Sequence, residues 1–113
     1  VENARGNAAR NKIENASFFL GSVEDQLKQL GGEAPVPDLV IVDPPRSGLG
    51  EKVVNDVAAF GAKRVIYVSC NPTTMARDIA WFAELGYKVR EICPVDMFPH
   101  THHVECVGVL ERD

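Results

Sequence analysis

No apolar run in this chain comes near the roughly 20 residues that a membrane-spanning helix needs. Its first residues, Val1-Glu2-Asn3-Ala4-Arg5, are not a secretory signal and lack an initiator methionine. They read as the middle of a helix, as expected of a piece of a longer protein. Cysteine is scarce: Cys70, Cys93 and Cys106 are odd in number and form no C-x-x-C pair. That speaks against a disulfide framework or a zinc ribbon and fits a reducing, cytoplasmic setting. Positive charge is not in excess either. The formal net charge is −4 and the isoelectric point about 5.3, a poor match for a freestanding module that grips nucleic-acid phosphates. The basic residues of the second half, among them Arg46, Arg64, Arg77 and Arg90, still allow a catalytic piece whose grip on a polyanion lies elsewhere. Internal repeats and low-complexity segments are absent.

What is there suits one compact domain. The chain has 113 residues, 45% of them hydrophobic, enough to bury a core and to exclude disorder. Residues 2–11 are alanine-rich with helical spacing. Ser17-Phe18-Phe19-Leu20 reads as a short strand ending at Gly21. Val23, Leu27 and Leu30 mark one face of a second helix, stopped by Gly31-Gly32. Residues 38–42 form a continuous aliphatic run, the pattern of a strand buried on both faces. A helix with Val53, Val57 and Phe60 on its apolar stripe follows, then a second buried strand at 64–69. The spacing predicts a helix over about 74–85 with a threonine N-cap, Met75, Ile79 and Phe82 on one face, and Gly86 as stop. Two last strands, near 87–94 and 105–111, lack a helical pattern between them and so form an antiparallel hairpin. Strands alternating with helices define an α/β fold of about five strands. Open sheet edges would offer a route to weak self-association.

In an open α/β sheet, ligands bind beyond the carboxyl ends of the strands. Asp43-Pro44-Pro45-Arg46-Ser47-Gly48 follows one buried strand and Ser69-Cys70-Asn71-Pro72 follows the next, so Asp43 and Cys70 are expected to face a common cleft. A cysteine is ordinarily a small buried residue. Cys70, however, lies where a strand ends just before a helix N-terminus, a position that favours the thiolate. Asn71-Pro72 should force an extended exit that leaves the sulfur at the rim. Asp43 is either a turn former or an acceptor beside a stiff proline loop that can hold a planar ring. Arg46 is a phosphate ligand or a solvated charge. His100, His102 and His103, even with Cys93 and Cys106, match no zinc arrangement, so no metal is expected. Glu105 opens a strand directly after the histidine loop. It is an ordinary edge residue or a general base.

Taken together, these clusters resemble the RNA uracil-5-methyltransferases. The likeness rests on D-P-P-R-S-G at Asp43–Gly48, then sixteen residues, then V-I-Y-V-S-C-N-P-T-T at Val65–Thr74, continued by Arg77-Asp78. D-M-F-P-H-T-H-H-V-E at Asp96–Glu105 completes it. The resemblance implies a Rossmann-like methyltransferase fold, S-adenosylmethionine as cofactor and uridine in tRNA or rRNA as substrate. Cys70 would be the nucleophile that adds to carbon 6 of uracil, and Glu105 the base that removes the proton from carbon 5. Asp43, Pro44, Pro45, Arg46, Asn71, Phe98 and Thr101 would line the pocket for base and cofactor, with Phe98 stacking on the flipped-out uracil. It further implies that residues 1–113 are the later part of a catalytic domain. The Gly-rich cofactor loop and the acidic ribose-binding residue of the family precede the segment where this chain begins, so the isolated chain is expected to be inactive. Two other readings stay open. One is an amino-methyltransferase that turns the proline loop toward an exocyclic nitrogen; the other is a non-catalytic folded piece that contributes contacts only.

Overall fold

The computed structural model describes residues 1–30, 35–96 and 104–113. Helix α1 (Glu2–Arg10) is built from alanine and polar residues, with Glu2 in its first turn and Arg10 in its last, both favourably placed against the helix dipole. Helix α2 (Val23–Leu30) starts from Ser22, whose hydroxyl accepts from the Asp25 backbone N–H at 3.2 Å and donates to the Asp25 carboxylate at 2.8 Å. Strand β1 (Leu39–Val42), helix α3 (Glu51–Ala59), strand β2 (Arg64–Ser69), helix α4 (Pro72–Glu84) and strands β3 (Lys88–Val95) and β4 (Glu105–Glu111) follow.

These four strands form one sheet in the order β1-β2-β4-β3. β1 and β2 run parallel, while β4 runs antiparallel to both β2 and β3. The final strand thus inserts between β2 and β3 and leaves β3 at the edge. Val65 and Tyr67 of β2 and Leu110 of β4 face α3 and α4, where they pack with Val54, Val57 and Phe82, all nearly or fully buried. The Phe82 and Tyr87 rings meet edge-to-face at 5.5 Å, a favoured aromatic geometry. α4 ends as expected at Gly86, which takes φ +96°. Gly86 N–H donates to Ala83 and Tyr87 N–H to Phe82, the paired bonds of a glycine-terminated helix.

Three local expectations are corrected. Residues 17–20 are not a strand, so the sheet has four strands among the described residues rather than five. Phe19 and Leu20 are exposed, and the Phe18 carbonyl accepts from the Arg5 guanidinium at 3.1 Å. Aromatic and aliphatic residues favour a strand only where a neighbour completes the ladder, and this segment does not join the free edge of β1. β1 is not buried on both faces: Leu39 and Ile41 remain 40% and 63% exposed, while Val40 and Val42 pack inward. Finally, α4 is capped by Asn71 rather than by a threonine, and it starts at once, with Pro72 in its first turn. A proline there forfeits only an N–H that has no intrahelical acceptor. Asn71 itself is extended, as a residue before proline should be (φ −140°, ψ 103°).

Candidate active site at the carboxyl edge of the sheet

The site is built where β1 and β2 end side by side. Val42 pairs with Tyr67, so Asp43 and the turn at Cys70 leave the same edge of the sheet. Antiparallel β4 enters at that edge. Ser69 pairs with Cys106, so the next residues outward are Cys70 on one strand and Glu105 on the other. Both are half-buried, and Cys70 is a free thiol. The buried Ser69 hydroxyl spans the cysteine: it accepts from Asn71 N–H at 3.0 Å and donates to Asn71 C=O at 2.9 Å. This small ring holds the backbone on both sides of Cys70. The Asn71 side chain then caps α4 by accepting from Thr73 N–H at 3.1 Å, which fixes the helix start two residues beyond the thiol.

The loop after β1 is tied to α4 along one helical face. The Arg46 carbonyl accepts from the Asn71 side-chain amide at 3.1 Å and from the Thr74 hydroxyl at 2.8 Å. The Ser47 carbonyl accepts from the Arg77 guanidinium at 2.7 Å. Asp78, fully buried, accepts from Leu49 N–H at 2.7 Å and Gly50 N–H at 3.3 Å. Positions 71, 74 and 78 are one helical turn apart, so they present a single row to the loop. Gly48 makes this approach feasible. It takes φ +78°, and a Cβ there would come within 2.6 Å of the Asp78 carboxylate and 2.8 Å of the Arg77 guanidinium. Tyr67 completes the cluster, its hydroxyl donating to Asp78 at 2.5 Å. Burial, followed by this hydrogen bond to a carboxylate, pushes the Tyr67 phenol far above its ordinary range.

A cleft of about 510 Å³ opens beside the loop, walled by Ile41, Val42, Pro44 and Leu49, with Asp43 and Glu24 among its lining. Its apolar walls and few polar groups suit a small organic ligand. Asp43, Pro44 and Pro45 line it. The Arg46–Ser47 turn that follows them folds back onto α4, next to the turn that carries Cys70. The Arg46 side chain is exposed. Phe98, Thr101 and the three histidines lie outside the described residues.

Sequence reading placed Asp78, Thr74, Ser69 and Gly48 within its motifs but gave none of them a role in the site. A signal for Asp78 did exist. Met75, Asp78 and Phe82 are the buried residues of α4, so an acid stands on the core stripe of an amphipathic helix, where an unpaired charge would be costly.

A partly parallel α/β sheet with a cleft at its carboxyl edge is an architecture shared by many α/β proteins, and two solved methyltransferases have it. A tRNA (uracil-54, C5)-methyltransferase of Pyrococcus abyssi, solved in complex with S-adenosyl-L-homocysteine, superposes with a TM-score of 0.76 at 41% identity over 97% of this chain and 26% of its own. A precorrin-6y C5,15-methyltransferase of Geobacter metallireducens shares the fold, with a TM-score of 0.72 at 18% identity over 96% of this chain and 59% of its own. The family follows from the sequence profile of tRNA (Uracil-5-)-methyltransferases, which matches residues 1–113; the chain belongs to that family. RNA methyltransferases, so named, of Caldanaerobacter subterraneus and Bacillus cereus are each 47% identical over 99% of this chain, and one of Streptococcus pyogenes is 46% identical over all 113 residues of this chain. The chain spans 24% of the length of each of these relatives.

Proposed function

We propose that this chain is the later part of a methyltransferase catalytic domain that modifies carbon 5 of uridine in tRNA or rRNA, with Cys70 as nucleophile and Glu105 as base. The observation that carries the reading is the Ser69–Cys106 rung: Cys70 follows directly after the end of β2 and Glu105 opens β4, so both stand one residue beyond that rung at the same edge. Paired strands lie about 4.8 Å apart, and groups leaving the end of such a pair are suited to address neighbouring carbons of one planar ring.

Carbon 5 of uracil is a weak nucleophile. Addition of the Cys70 thiolate to carbon 6 forms a C–S bond and moves the ring's electron pair toward carbon 5 and the carbonyl at carbon 4. S-adenosylmethionine, when bound, supplies a methyl group as the electrophile for that carbon. Glu105 then takes the proton from carbon 5. The electron pair of that C–H bond restores the ring double bond and expels Cys70 as thiolate, leaving the enzyme unchanged apart from a proton on Glu105 that passes to water.

The described residues fit part of such a cofactor. Apolar walls at Ile41, Pro44 and Leu49 can hold a purine face, and Asp43 and Glu24 can accept from N–H or O–H groups or face an ammonium. Arg46 follows the proline loop and Asn71 follows Cys70, the two joined by the bond from the Asn71 side-chain amide to the Arg46 carbonyl; the Arg46 guanidinium is suited to a phosphate. Phe98 and Thr101, proposed for the same pocket, lie outside the described residues. Among the described residues no helix is long and apolar enough to cross a membrane, and tRNA as substrate fits a cytoplasmic site of action.

The test is covalent trapping, in a protein of full family length carrying this chain, with RNA containing 5-fluorouridine and S-adenosylmethionine present. Fluorine cannot leave as a proton does, so the C–S adduct should persist and should vanish in Cys70→Ala. Methyl transfer to ordinary RNA without any adduct would sink the Cys70 mechanism. A methyl group found on an exocyclic nitrogen would favour the amino-methyltransferase reading.

A further inference from the structure

Asp78 is the one fully buried charged residue among the described residues, and the proposed chemistry gives it no part. Four donors converge on it: the backbone N–H groups of Leu49 and Gly50, the Tyr67 hydroxyl, and the Arg77 guanidinium at 3.2 Å. Two of the four belong to the segment that closes the Asp43–Gly48 loop. One comes from the middle of β2, two residues before Ser69. The carboxylate therefore joins the end of the proline loop, the strand that leads to Cys70, and the helix that starts beyond it.

A helix can be held to a loop by apolar packing alone. Packing, however, lets a loop slide by fractions of an ångström, whereas a carboxylate accepting from successive N–H groups sets direction and distance together. Gly48 indicates that the fit is close, since even a methyl group at that position would strike the Asp78 oxygen. The row continues outward through Ser47–Arg77 and Arg46–Asn71. The height of the Asp43–Arg46 turn above Cys70 is thereby referred back to one buried acid.

We infer that Asp78 is a positioning residue. Its carboxylate holds the Asp43–Gly50 segment in register with α4, and so sets the cleft wall and Arg46 relative to Cys70. This rests on the proposed reading of Cys70 as nucleophile. Misplacing reacting groups by about 1 Å can cost on the order of a hundredfold in rate, and loss of a hydrogen bond to a charged group costs about tenfold or more.

The variant to make is Asp78→Asn, in a protein of full family length. It keeps size and one acceptor but replaces the second with a donor that faces N–H groups. Amide hydrogen exchange at Leu49 and Gly50 should speed up by about tenfold or more. The kcat for methyl transfer, and the rate of adduct formation on 5-fluorouridine RNA, should fall about ten- to a hundredfold, with KM for RNA changed by no more than about twofold. Unchanged exchange at Leu49 and Gly50 would overturn the inference, because Asp78 would then not hold the loop. Faster exchange with kcat retained would overturn it as well, because the loop would then not need holding. A loss of kcat that disappears when the variant is assayed well below its unfolding midpoint would reduce Asp78 to a structural role. Failure of the wild-type protein to form any adduct counts against the Cys70 reading. The exchange data then still decide whether Asp78 holds the loop.

Discussion

Ser69 on β2 stands directly opposite Cys106 on β4. Nothing in the local sequence of either strand requires this. It follows from β4 running back between β2 and β3, and it is what brings Cys70 and Glu105 to the same carboxyl edge. The same edge carries the proline loop, stapled to α4 by Asn71, Thr74, Arg77 and Asp78. The proposed nucleophile and base thus stand at the ends of a backbone ladder, and the cleft wall is held by a row of hydrogen bonds that runs from the surface at Asn71 to the buried carboxylate of Asp78.

If Cys70 and Glu105 divide the chemistry as proposed, their variants should fail at different stages. Cys70→Ala should form no covalent RNA species and lose methyl transfer. Glu105→Gln should still add to uracil but release it about a hundred- to ten-thousandfold more slowly. A protein–RNA adduct should therefore accumulate on ordinary uridine RNA, visible as a denaturation-resistant band. Absence of that band, with turnover near wild type, would remove Glu105 from the mechanism.

Asn71 carries two jobs on one side chain, accepting from Thr73 N–H and donating to the Arg46 carbonyl. Asn71→Asp keeps the cap and replaces the donor with an oxygen that faces a carbonyl. Stability should change by no more than about 1 kcal/mol, because Asp caps as well as Asn. Turnover should fall about tenfold as the Arg46 turn loses its tether. Urea denaturation read beside steady-state kinetics separates the two effects; equal activity would show that the tether is dispensable.

Gly48→Ala places a Cβ at a positive φ and against the Asp78 carboxylate, itself locked by Leu49. Neither strain can relax cheaply. A loss of about 1–3 kcal/mol is expected, measured as a lower urea midpoint. By contrast, the Cβ of a Gly108→Ala variant would meet only the tip of Met75, a flexible group that can turn aside, so a smaller loss is expected there.

The chain's two tyrosines, Tyr67 and Tyr87, both have phenols held above their ordinary value, Tyr67 by burial and then by Asp78, Tyr87 by burial. Raised folded-state values mean that their contribution to stability is fully present below the unfolded value of about 10 and is lost as pH climbs above it. Alkali should therefore unfold the protein and ionise both tyrosines in one cooperative step. Ultraviolet absorbance of tyrosinate, followed beside circular dichroism, checks this. A tyrosinate signal rising near pH 10 while the fold persists would contradict the burial of both rings.

The elements legible in the sequence are those whose causes are local. The Gly86 stop of α4 and the aliphatic run of β2 each act within a few residues, and the structure has both; of the stripe expected on α3, Val53 and Val57 are buried while Phe60 falls at the C-cap and Val54 takes its place in the core. The D-P-P-R-S-G and S-C-N-P clusters were legible for a related reason: their prolines and glycine impose backbone shape wherever they occur. Phe18–Leu20 misled because its residues favour a strand and yet have no ladder to join. Asp78 was legible only as part of a motif, because the backbone N–H groups that bury and satisfy it lie 28 and 29 residues earlier in the chain.

By itself the sequence determined the α/β class, the order of helices and strands from α2 to β4, and the motifs that mark the tRNA (Uracil-5-)-methyltransferase family. Tertiary structure alone decided the sheet order β1-β2-β4-β3, the Ser69–Cys106 rung that brings Cys70 and Glu105 to one edge, and the partners of Asp78. The division has a physical cause. A helix or a tight turn satisfies its hydrogen bonds within a few residues, so its sequence carries the instruction. A strand or a buried carboxylate is satisfied by groups far along the chain, so its place exists only once those groups have been brought together.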